Sequence, residues 1–299
     1  MPMPRRLYYC DQHPIPLPPG HKFPTQKYAM LRSKLEAEHR FELTPAPPAE
    51  IAQLELAHEE QYVRAILHGD VDPRVMRRIG FPWSEALVRR TLASVGGTLA
   101  ASRDAMESGL GGNLAGGTHH AFRAEGSGFC VFNDLAVAIL MLRREGLAAR
   151  AAVIDLDVHQ GDGTASIFES DPSVLTVSIH GENNFPFRKQ RSRIDIGLSD
   201  GTSDDEYISH VQSMLPVVLA FQPEVMLYQA GVDGLASDRL GRLALTQQGL
   251  ARRDRLVLEA ARSHRIPLVI TLGGGYSEPI EATAEAHANT FRIASQIYK

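Results

Sequence analysis

The chain has 299 residues, 43% hydrophobic and 22% charged, with a formal net charge of -4. This is the make-up of a globular protein with a sizeable core, without the basic excess of a direct nucleic-acid binder or an apolar run long enough to span a membrane. Two cysteines far apart, Cys10 and Cys130, argue against a disulfide framework, and Met1–Arg6 lacks the apolar core of a signal peptide, so a cytoplasmic location is expected.

In chain order, a strand is predicted over Arg6–Cys10, followed by Pro-rich loops at Pro14–Pro19 and Pro45–Pro48 that read as edge loops rather than linkers. Helical patterns then cover Tyr62–His68 and Ser84–Glu107, before a strand at Asn113–Gly116 and a helix at Asn133–Glu145. Strands Ala151–Asp157 and Val174–His180 precede a helix at Thr202–Ala220. Strand Val225–Gly231, helix Thr246–His264 and strand Pro267–Leu272 complete the series. Such alternation predicts an α/β protein: a single domain over residues 1–299, in three αβα layers around a mostly parallel sheet. Ala152–Ile154 and Val225–Tyr228 are apolar on both sides, as burial between two helical layers requires.

Four of these strands end in polar residues and glycines: Gly116–His120, Asp155–Asp162, Gln229–Asp233 and Gly273–Tyr276. Ligands in open α/β sheets bind beyond the carboxyl ends of strands, so the four ends point to one site. Strand alternation places Asp155, Asp157 and His159 on one face and Ile154, Leu156 and Val158 on the other. Two carboxylates and an imidazole together call for a divalent cation. Three protein ligands with one open position mark a catalytic metal site. Asp157 and His159 supply two. Asp233 is the candidate third, its alternative being a turn or capping aspartate before Gly234.

The adjacent His119 and His120 can line one cavity only on a turn, which Gly116, Gly117 and Thr118 permit. Asp155 and Asp162 would orient one histidine each, although Asp155 could instead hold a structural cation or the strand geometry. Tyr276, after three glycines, would offer a hydroxyl to a developing oxyanion; a buried core tyrosine is the alternative.

Gly-Gly-Thr-His-His, Gly-Phe-Cys-Val-Phe-Asn-Asp (Gly128–Asp134), Asp-Leu-Asp-Val-His-Gln-Gly-Asp-Gly and Gly-Gly-Gly-Tyr occur in this order. Together they resemble the histone deacetylase family of zinc amidohydrolases, on the arginase/deacetylase fold, from about Tyr8 to Arg292. Pro16–Pro24 and Glu182–Arg191 look most like its bacterial and class IV branches. The resemblance implies one Zn2+ per chain, or Fe2+, on Asp157, His159 and Asp233. It makes His120 the proton-transferring histidine, partnered by Asp162, and His119 its electrostatic neighbour, partnered by Asp155. Tyr276 becomes the group that polarises the amide carbonyl. Gly128, Phe129, Phe185, Phe187 and Gly274 would shape an acyl-lysine channel. A structural K+ or Na+ would sit on the side chains of Asp155 and Ser178 and the carbonyls of Asp157, His159 and Ile179.

The chain departs from the better-known pattern at three places. Gln160 replaces a second histidine, the loop after His180 is short, and no counterpart of the rim aspartate is found around Phe81–Glu85. The expected activity is metal-dependent removal of an acyl group from acyl-lysine or another acylated amine. An acetylpolyamine amidohydrolase, a binuclear manganese hydrolase and a non-catalytic acyl-lysine binder are the competing readings. No membrane or nucleic-acid partner is expected. The basic run Arg188, Lys189, Arg191 and Arg193 reads as a solvated loop in preference to a patch for an acidic partner.

Overall fold

The computed structural model describes residues 5–299. Its strands are β1 (Arg6–Tyr9), β2 (Glu42–Pro45), β3 (Leu110–Asn113), β4 (Ala151–Asp155), β5 (Val174–Gly181), β6 (Ile194–Leu198), β7 (Val225–Gln229) and β8 (Leu268–Thr271). The helices are α1 (Gln26–Glu38), α2 (Ile51–Leu54), α3 (Glu60–His68), α4 (Pro73–Ile79), α5 (Glu85–Ser108), α6 (Asp134–Arg144), α7 (Asp162–Phe168), α8 (Asp204–Ala220), α9 (Gln247–Ser263) and α10 (Glu281–Ile297). The strands form one sheet in the order β2-β1-β3-β8-β7-β4-β5-β6, every pair parallel.

Why the central strands read as unbroken apolar runs is visible in β4. Ala152 and Ile154 enter one hydrophobic cluster, with residues of α8, α9 and α10. Ala151 and Val153 enter the other, with residues of α5 and α6. Alternating side chains thus feed two cores, one on each sheet face, which is why the run is apolar up to Asp155. No helix among the described residues is long and apolar enough to cross a membrane.

Several expected elements fall close to their places, with the Ser84 and Thr246 hydroxyls capping α5 and α9. The third strand differs: it runs Leu110–Asn113, three residues before the expected Asn113–Gly116. Helix α5 closes on Gly109 in the left-handed region (φ 85°) and the strand begins at once. Gly116 and Gly117, also at positive φ (75° and 73°), have already left extended geometry. The expected Ala151–Asp157 and Val225–Gly231 strands stop at Asp155 and Gln229. Elements α1, β2, α2, α4, α7, β6 and α10 had no sequence expectation.

Candidate active site

Four chain segments leave the carboxyl ends of β3, β8, β7 and β4, which are consecutive in the sheet, and meet in one place. Beyond Asp155 the chain bends rather than extends. The Asp157 N–H donates to Asp155 Oδ1 (3.2 Å) and the His159 N–H to Asp157 Oδ1 (3.0 Å). These bends preserve the expected sidedness, because Leu156 and Val158 stay in the core with Ile154. Asp233 is anchored from the β7 side, its Oδ1 accepting the Val158 N–H at 2.9 Å.

His159 Nδ1 lies 3.0 Å from both Asp157 Oδ1 and Asp233 Oδ2, and the three side chains are buried. Their ligating atoms lie within 4.8 Å of one another. Two buried carboxylates on one imidazole nitrogen leave charge unbalanced. Burial and the charge of Asp157 push Asp233 up to about 7. Burial opposes the Asp157 carboxylate, yet His119 and His159 hold it well below the usual range. Against its own burial, His159 is raised to about 10 by hydrogen bonds to the two aspartates. A divalent cation among these atoms would supply the missing charge, and a nitrogen-plus-carboxylate donor set suits zinc and other first-row metals. The residues present fit such an ion.

Gly274 is part of this floor. Its N–H donates to Asp157 Oδ2 at 2.6 Å, and a Cβ there would fall 1.8 Å from Asp233 Oδ2. Only glycine leaves the ligand in place.

Each of the paired imidazoles has one carboxylate against it. His119 Nδ1 lies 2.7 Å from Asp155 Oδ2, and His120 Nδ1 lies 2.6 Å from Asp162 Oδ1, with ring centroids 4.1 Å apart. Burial disfavours charge on His119, but Asp155 and Asp157 outweigh it and raise the ring to about 9. Burial and the neighbouring His119 push His120 down to about 4. The carboxylates thus favour charge on His119, whereas burial and that neighbour favour a neutral His120. Tyr276 is buried beside them; burial, then Asp233 and Asp157, hold its phenol protonated far above its ordinary range. Its backbone N–H is fixed by Asp238 Oδ2 at 2.6 Å.

A cavity of about 400 Å³ opens onto these groups, lined by His119, His120, Asp157, His159, Gly274 and Tyr276 at depth. Gly128, Phe129 and Phe185 form its walls. The Phe185 ring stands edge-on to His120 at 4.9 Å, and Phe129 is tilted against Tyr276 at 6.1 Å. Phe187 lines only the mouth and is 87% exposed. Ser178 lies in register beside Asp155 across β4 and β5, followed by the buried Ile179, so the five positions named for a monovalent cation are neighbours. The Ser178 hydroxyl is 2.9 Å from His180 Nδ1.

Several supporting residues carried no expectation. Asp134, wholly buried, accepts the N–H groups of Gly117 (3.0 Å) and Thr118 (2.7 Å) and the Thr98 hydroxyl (2.6 Å). It thereby shapes the turn that presents His119 and His120. Asn133 caps α6 and also donates to the Ala121 carbonyl (3.1 Å). Asn-Asp before an apolar helical run is a capping signal that could have drawn attention to both. Arg253, buried on α9, donates to the carbonyls of Leu156 (3.3 Å) and Gly231, tying together the two segments that carry Asp157 and Asp233. Nothing in the local pattern around Arg253 marks it.

An all-parallel αβα sheet with a candidate metal centre and a histidine pair at its carboxyl rim defines a protein of the deacetylase/arginase-like fold. The fold matches the crystal structure of the HDA15 HD domain with a TM-score of 0.82 at 21% identity, covering 98% of this chain and 90% of that one. A family model described as the histone deacetylase domain matches residues 21–293. The chain belongs to the histone deacetylase family. It is 44% identical to an uncharacterised protein of Picosynechococcus sp. over 98% of this chain and 99% of that one. Histone deacetylase 2 of Arabidopsis thaliana is 33% identical over 77% of this chain, which spans 62% of that protein. Histone deacetylase 1 of Homo sapiens is 34% identical over 62% of this chain, and the match takes in 40% of the human protein.

Proposed function

We propose that the protein is a metal-dependent amide hydrolase that removes an acyl group, acetyl or longer, from an acylated amine, with acyl-lysine as the foremost substrate. The observation that carries this reading is the convergence of Asp157, His159 and Asp233 within 4.8 Å at the base of a cavity that also holds His120 and Tyr276. Those three residues would hold one Zn2+, or Fe2+, per chain. When bound, the ion supplies Lewis acidity to the amide carbonyl and lowers the pKa of the attacking water. His120, oriented by Asp162, takes the proton of that water. His119, held by Asp155, stabilises the negative charge that develops beside it, and His120, having taken the water proton, returns it to the leaving amine. The Tyr276 hydroxyl donates to the oxyanion. Phe129 and Phe185 exclude water around the aliphatic stem of the substrate. Asp155 and Ser178, with the carbonyls of Asp157, His159 and Ile179, would hold a K+ or Na+ that fixes the end of β4.

The test is a hydrolysis panel on chelated and zinc- or iron-reconstituted protein, with acetyl-lysine peptides, long-chain acyl-lysine peptides and acetylated polyamines. Metal-dependent turnover with one catalytic metal ion per chain is the expected result. Two catalytic ions per chain, or no turnover of any acylated amine by fully loaded protein, would overturn it.

A further inference from the structure

The exposed charged residues that line the cavity are all basic. Lys22 from the β1–α1 loop, Arg78 from α4 and Arg242 from the β7–α9 loop all line it, and all three are exposed. The β5–β6 loop adds Arg188, exposed next to the mouth residue Phe187. Asp157, a candidate metal ligand, is the one carboxylate among the lining residues. Glu125 pairs with Arg78 and Asp200 with Arg242, whereas Lys22 and Arg188 make no ion pair among the described residues. Three separate segments thus each bring a lining cation to one opening, and Arg188 stands exposed beside a fourth lining segment, in a chain whose overall charge is -4.

A solvated surface would distribute those cations among the acids that outnumber them. A concave opening lined by one sign, with low-dielectric aromatic walls behind it, concentrates ligands of the opposite sign and repels like charge. An acylated lysine is itself neutral at its tip, so the rim acts on what surrounds that tip. We infer that the site selects acylated amines on an acidic carrier, an acyl-lysine flanked by aspartate or glutamate in a peptide. This rests on the hydrolase reading above and narrows its substrate. It also disfavours acetylated polyamines, whose remaining amines are cationic.

The experiment uses metal-loaded, full-length protein and three heptapeptides alike except for Glu, Gln or Lys on both sides of a central acetyl-lysine. The acidic peptide should exceed the basic one about tenfold in kcat/KM near 20 mM salt, mostly through KM, and the gap should close to about twofold near 500 mM as screening shortens. The double variant Lys22→Glu, Arg188→Glu should reverse the order of the acidic and basic peptides. Equal or inverted rates with the native protein, an order untouched by salt, or better turnover of an acetylated polyamine than of the acidic peptide would overturn the inference. Turnover of the Gln peptide reports separately on the hydrolase reading. Should none of the peptides be cleaved, fluorescence anisotropy of the same peptides with an uncharged dye still decides the point. Tighter binding of the acidic peptide supports the inference, and equal or weaker binding refutes it.

Discussion

His58 satisfies its neighbours in one protonation state alone. Its Nδ1 lies 2.8 Å from the Phe122 carbonyl, and its Nε2 accepts the Asn133 N–H at 2.8 Å. A second ring proton would point at a donor. Burial, outweighing the nearby carbonyls, drives the pKa from 6.5 down to about 4. The unfolded chain therefore binds a proton that the folded chain refuses, and stability falls as pH drops from 6.5 towards 4. The loss between pH 7 and pH 4 is about 3 kcal/mol. Chemical denaturation at both pH values checks this, with His58→Gln, which can donate and accept without titrating, expected to lose less. Tyr276→Phe should lower kcat by about 10²–10³ while leaving metal content unchanged, read by steady-state kinetics and metal analysis. Near-normal turnover would remove the phenol from the mechanism. That the candidate side chains gather at one rim was legible because Asp, His and Tyr after apolar strands have few other reasons to be there. His58 was not, because its bonds run to backbone groups that only folding brings near.

At the scale of elements, α9 braces the site from outside. Arg253 bridges the Leu156 and Gly231 carbonyls, while Asp254 accepts from Arg253, from the Tyr228 hydroxyl and from Thr290 (2.7 Å). Arg253→Met leaves Asp254 buried without its cation and frees both ligand-bearing segments. A stability loss of about 3–5 kcal/mol is expected, with metal affinity weakened about 10–100-fold. Thermal melts and competitive metal titration measure the two effects; unchanged metal affinity would show that the bridge is dispensable to the site. The central strands were readable because burial on both faces forces unbroken apolar runs. The edge strands β2 and β6 have one buried residue between them and are only four and five residues long, so their pattern merges with loop sequence. Helix α10 packs an alanine-rich face that includes Ala284, Ala288 and Ala294, which gives little hydrophobic contrast along the chain.

For the molecule as a whole, removing the metal should be felt as a loss of global stability. An ion present at about 1,000 times its Kd adds about 4 kcal/mol. For a chain of this length that corresponds to about 6 °C in Tm, which differential scanning calorimetry before and after chelation would register. A variant with Asp233→Asn should show a much smaller chelation effect, since one of the two candidate carboxylate ligands then lacks its charge.

Because every strand runs the same way, the candidate site lies at one pole of the sheet and turns that enter the strands lie at the other. The turn that feeds β4 is an example: Gly146 has open space where a side chain would begin, and Leu147 beside it is 43% exposed. A short affinity handle inserted there would anchor the protein to a bead or sensor chip with its channel turned towards the bulk liquid. Polymer-bound or surface-tethered reagents could then be presented to the immobilised molecule without the support standing in their way.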